Sequence, residues 1–90
     1  MSSEHPADAN EFLTQIGERI ATARQKKGIS QLRAAEKAGL ARQYLNEVET
    51  GRTNVGVHTL ARIAHALGTT ASALLRGLSV TDTHRPASRR

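Results

Sequence analysis

The chain has no cysteine and no tryptophan, and only two prolines among its 90 residues. Without thiols it forms no disulfide, no thiolate metal site and no cysteine nucleophile. Its aromatic residues are Phe12 and Tyr44 alone. The core must therefore come from Leu, Ile, Val and Ala, which suits packed helices better than sheets. No apolar run approaches the roughly 18 residues of a membrane span. The opening MSSEHPADAN lacks the basic start and apolar stretch of a signal peptide. These absences predict a soluble cytoplasmic protein without a membrane partner. The length suits one small domain with a single core.

The formal net charge is +5, and it is unevenly spread. Residues 1–11 carry Glu4, Asp8 and Glu11 and no Lys or Arg. Residues 12–80 carry ten Lys and Arg against four Glu, and the last ten residues carry Asp82 against Arg85, Arg89 and Arg90. The positive excess sits mainly in the segment with a foldable pattern. A basic small domain points to a polyanionic partner, nucleic acid first, although solubility charge is the ordinary use of such residues.

Residues 1–10 have no periodicity and read as a flexible N-terminal arm. From Phe12 the pattern is helical, with Leu13, Ile16, Ile20 and Ala23 on one face, and Gly28 ends that helix. Ser30 is a good N-cap for a second helix, Gln31 to Ala38, stopped by Gly39. A third helix is predicted from Arg42 to Glu49, with Leu45 and Val48 inward and Gly51 after it. Arg52 to Gly56 is a loop. A fourth helix is predicted from Val57 to Leu67 and a fifth, capped by Thr70, from Ala71 to Arg76. No strand-like alternation occurs. The sequence thus predicts an all-α, five-helix domain over residues 11–79, followed by a disordered basic tail over 80–90.

Only about three residues, centred on Gly39 and Leu40, separate the second and third helices. So short a link forces a sharp angle: the helix-turn-helix arrangement, in which the second of the two helices lies in the major groove. With Leu45 and Val48 inward, the third helix turns Arg42, Gln43, Asn46 and Glu47 outward. Arg can take guanine O6 and N7, Gln and Asn can take adenine N6 and N7, and Glu accepts from cytosine N4. Tyr44 adds a ring and a hydroxyl at the edge. A solvated polar face is the commoner explanation of such a pattern taken alone.

The residues Ser30-Gln31, Ala35-Glu36-Lys37-Ala38-Gly39-Leu40, Arg42-Gln43-Tyr44-Leu45 and Glu49-Thr50-Gly51-Arg52 change that balance. Thr59-Leu60 and Ile63-Ala64-His65-Ala66-Leu67-Gly68 follow in the same order. This ordered set, from Ile16 to Leu75, resembles the phage-repressor-type (Cro/repressor, Xre-like) helix-turn-helix family. The resemblance implies a five-helix domain that binds double-stranded DNA, usually as a dimer on a palindromic operator. It implies base contacts from Arg42, Gln43 and Glu47, with Tyr44 and Asn46 beside them. It implies backbone contacts from Ser30, Gln31, Arg52, Thr53 and Asn54, with Gln31 also bracing the recognition helix. It further implies an ion pair between Arg24 and Glu49, and a dimer surface at the last helix, where Leu75 and Leu78 are the candidates and Leu74 packs inward.

Four positions depart from the family pattern. Ala34 stands where a large apolar residue is usual and Leu32 where a polar one is. Either the second helix rotates slightly or Leu32 is exposed. Ala41 replaces the usual Ser or Thr cap of the recognition helix, a loss of roughly 1 kcal/mol. Val55 replaces a common Pro.

Other features do not read as chemistry. His58 and His65 lie two helical turns apart, about 10 Å, too far to share a metal without further ligands. Ser30 has no neighbouring His–Asp pair in the motif, and no glycine-rich phosphate loop occurs. No enzyme, cofactor or metal is expected. The expected function is a dimeric autorepressor, such as a restriction–modification controller, located with the nucleoid. Alternatives are an antitoxin that represses its operon and binds a toxin, or a protein-interaction module that keeps the fold without binding DNA.

Overall fold

In the computed structural model, which describes residues 7–79, the chain folds into five helices: α1 (Ala7–Lys27), α2 (Gln31–Ala38), α3 (Arg42–Glu49), α4 (Val57–Ala66) and α5 (Ala71–Leu75). No strand occurs among the described residues. The fold is all-α, as the periodicity predicts. Residues 1–6 of the expected arm and the tail from residue 80 lie outside the described residues.

One expected boundary is corrected. Residues 7–10, read as part of the arm, continue α1. Two of those four positions are Ala, the strongest helix former, and no apolar periodicity marks the segment. At its other end α1 carries Arg24, Lys26 and Lys27 in the last turn, which complement the helix dipole. α4 ends at Ala66, with Leu67 as its cap, and α5 is one residue shorter than predicted.

The local signals act as their chemistry requires. The Ser30 hydroxyl accepts from the Arg33 backbone N–H at 3.0 Å, and the Thr70 hydroxyl accepts from that of Ala73 at 3.0 Å. Gly39 closes α2 at φ 73°, the left-handed conformation glycine adopts without a Cβ penalty.

Ile16 and Ile20 of α1, Leu45 and Val48 of α3, Leu60 and Ile63 of α4, and Leu74 of α5 meet in one core. α2 contributes only Ala34, Ala35 and Ala38. These small side chains let its backbone lie close to both α3 and α4. Ala34 is 2% exposed and Leu32 52% exposed, so the helix does not rotate to exchange them; Leu32 faces outward. Leu13 and Ala23, expected inward, are half-buried at the margin. α1 packs on α3 and α5, and α4 on α2 and α5, which leaves one face of the α2–α3 pair uncovered. No described helix is long and apolar enough to cross a membrane.

Candidate nucleic-acid interface

The turn between α2 and α3 is built from backbone bonds. Gly39 N–H donates to Glu36 O at 3.1 Å and Leu40 N–H to Ala35 O at 2.8 Å, while half-buried Leu40 packs on the core. Arg62 of α4 reaches across and donates from Nη2 to Gly39 O at 3.2 Å. Ala41 then opens α3 with extended backbone and no side-chain cap. Only its side chain is missing: φ −69° and ψ 143° are the angles a capping residue adopts.

Leu45 and Val48 anchor α3 at 1% and 2% exposure. Arg42, Gln43 and Asn46 are exposed on its other side, and Glu47 and Tyr44 are half-buried, Tyr44 against the core. The five expected base readers therefore fall into three fully outward residues and two at the flank. After α3, Arg52 and Asn54 are exposed and Thr53 is half-buried. Arg52 N–H donates to Glu47 O at 2.9 Å, which turns the loop back along the helix.

Behind this face lies a polar buttress. Arg24 of α1 grips Glu49 with two bonds, Nε to Oε2 at 2.8 Å and Nη2 to Oε1 at 3.1 Å. Its Nη1 donates to Ile29 O at 3.0 Å. The two side chains are 15% and 6% exposed, so the pair is largely withdrawn from water. Gln31 donates from Nε2 to Glu49 Oε1 at 3.1 Å, and its Oε1 accepts from Arg42 Nη1 at 3.3 Å and Asn46 Nδ2 at 3.4 Å. Gln31 thus braces α3 from the start of α2. The Ser30 hydroxyl, engaged as an acceptor in the cap, keeps its proton for another partner.

The sequence gives no sign of two features. Gly17 lies where α1 crosses the end of α3, and a Cβ there would stand 2.5 Å from the carbonyl oxygens of Val48 and Glu49. The basic excess is also partly spent inside the fold. Arg19 donates to Leu74 O and Arg76 O at 3.3 and 2.6 Å, and Arg24 and Arg62 are engaged as described. Counting charges cannot separate such residues from those that face a ligand.

Leu75 and Leu78 are half-buried against the core. Leu75 borders an apolar groove of about 360 Å³ with Phe12, Leu13, Val55, Val57 and Leu60, and Val57 is 82% exposed. Among the described residues no group of three or more His, Cys, Asp or Glu converges as a metal site would require.

Residues 20–74 match a family model described as helix-turn-helix. The immunity repressor protein of Bacillus phage phi105 is 40% identical over 60 residues, 67% of this chain and 42% of that repressor. The uncharacterized HTH-type transcriptional regulator y4dJ of Sinorhizobium fredii is 40% identical over 53 residues, 59% of this chain and 69% of that protein. The crystal structure of the restriction-modification controller protein C.AhdI from Aeromonas hydrophila is similar with a TM-score of 0.67 at 35% identity. That match covers 69% of this chain and 94% of the controller. The chain spans less than half the length of the phage repressor it matches.

Proposed function

The chain belongs to the helix-turn-helix family of DNA-binding transcription regulators, and on that premise we propose that it is a homodimeric repressor acting on a palindromic operator, in the manner of a restriction–modification controller that represses its own operon. The observation that carries this reading is the sidedness of α3: Leu45 and Val48 sealed in the core, with Arg42, Gln43 and Asn46 exposed opposite them. Planar amides and a guanidinium on one exposed helix face are the groups that read base edges.

In this reading Arg42, Gln43, Tyr44, Asn46 and Glu47 face bases. Ser30, Gln31, Arg52, Thr53 and Asn54 hold the phosphate backbone on either side and set the docking angle. Leu75, which borders the apolar groove, and Leu78 join two copies, which places two α3 helices in successive major grooves and blocks a promoter by occupancy. A protein engaged in this way resides with the nucleoid.

Selection of bound sites from random double-stranded DNA tests the proposal. The expected result is an enriched palindrome with half-sites about one helical turn apart, and an affinity that falls steeply with salt as counterions are released. An enriched site without symmetry would remove the dimer. No enriched site at all would leave the α3 face as a protein-interaction surface.

A further inference from the structure

Five side chains from three helices form a network of hydrogen bonds with one permitted direction. The Glu49 carboxylate can only accept. It takes two donors from Arg24 and one from Gln31 Nε2. Gln31 must therefore turn its NH2 group to Glu49 and its Oε1 toward α3. Oε1 likewise only accepts, and its two lone pairs face Arg42 Nη1 and Asn46 Nδ2. Asn46 must in turn give one N–H of its NH2 group to Gln31, which leaves its Oδ1 and the second N–H for another partner. Swapping either amide would set acceptor against acceptor.

We infer that Glu49 is a specificity-determining positioning residue: through Gln31 it fixes the Asn46 amide so that an acceptor, Oδ1, is what this position offers the major groove. Oδ1 then takes a major-groove amino group, adenine N6 or cytosine N4, and on adenine the second N–H can take N7. The inference rests on the reading of α3 as the recognition helix. It is compatible with a phosphate contact from Gln31, whose Nε2 keeps a second N–H.

Base analogues test it in the folded protein. The base pair read by Asn46 is first located as the one whose preference Asn46→Ala abolishes. Purine in place of adenine, or 2-pyrimidinone in place of cytosine, then deletes only the amino group. The wild type should lose affinity about tenfold on that deletion, and Asn46→Ala should lose none. Gln31→Met keeps side-chain length without hydrogen-bonding groups, so the freed Asn46 amide can present either edge. Its penalty for amino deletion should fall to about threefold or less. Glu49→Gln, which lets the Gln31 amide turn over, should behave like Gln31→Met, with circular dichroism to verify its fold. If it does not fold, Gln31→Met decides.

A merely structural brace would weaken natural and analogue DNA equally and leave their ratio unchanged. An unchanged ratio in Gln31→Met or in folded Glu49→Gln overturns the inference, as does a wild type indifferent to the amino group or an Asn46→Ala variant with unaltered preference. If the wild type enriches no sequence, the α3 reading itself has failed, an outcome separable from all of these.

Discussion

Gly17 and Glu49 meet so closely that a methyl group on the glycine would stand 2.5 Å from the glutamate's carbonyl oxygen. The contact lies at the foot of α3, and the Glu49 side chain leaves from the same residue toward Arg24. One residue thus receives α1 twice, once by backbone proximity and once by charge.

Gly17→Ala separates helix propensity from packing. Propensity alone favours Ala in a helix interior by roughly 0.5–1 kcal/mol. Here the new methyl meets backbone that cannot swing aside, and overpacking of this kind costs about 1–3 kcal/mol. Urea unfolding should show net destabilisation. A more stable Gly17→Ala variant would show that the α1–α3 approach is looser than described.

Arg24→Ala should cost roughly 2 kcal/mol of stability, between the small value of an exposed pair and the larger value of a buried one. It strands a carboxylate that is 6% exposed. Arg33→Ala is the matched control. Its pair with Glu36 is 3.9 Å long with both side chains more than half exposed, and its loss should fall within about 0.5 kcal/mol. Equal thermal shifts for the two variants would contradict this ranking.

Ala41→Ser supplies the missing cap of α3. The backbone at Ala41 already has capping angles, so the hydroxyl should add about 0.5–1.5 kcal/mol without rearrangement. A raised melting temperature with retained DNA binding is expected; an unchanged one would mean that the α3 N–H groups are satisfied in another way.

On DNA, Gln43→Ala should relax preference at a particular base pair by roughly 1–3 kcal/mol. Arg52→Ala should weaken all sequences alike and lower the salt slope by about one. Competition binding at several salt concentrations reads both. Uniform loss from Gln43→Ala with altered preference from Arg52→Ala would reverse the assignment of faces.

Leu78→Glu places a charge at a half-buried leucine near the end of the described chain. The expected product is a folded monomer with weakened operator binding, followed by sedimentation and circular dichroism together. Loss of the helical signal would assign Leu78 to the core, and an intact dimer would remove it from the interface.

Much of this arrangement is legible in the residues. α2 and α3 have the boundaries predicted, since Ser30 and Gly39 carry unambiguous cap chemistry and the link between the helices is too short to mislead. The start of α1 is not legible, because residues 7–10 carry no apolar period to mark it. The exposure of Leu32 is undecidable without the neighbours of α2, for Ala34 could seal the core only if α3 and α4 came close enough to accept so small a side chain. Gly17 is invisible for the same reason: its role exists only where two helices cross. The direction of the Gln31 bonds needs the position of Glu49, 18 residues away.

The bond from Arg19 to the carbonyl of Arg76 joins residues 57 apart in the chain. α5 has only five residues, too few to persist alone, and its final carbonyls are held by a guanidinium from α1. Its ordering therefore depends on a closure that spans nearly the whole described chain. Hydrogen exchange should therefore find α5 opening first, its amides exchanging with solvent while those of α2 and α4 stay protected, and the leucines beside it uncovered before α2 and α3 loosen.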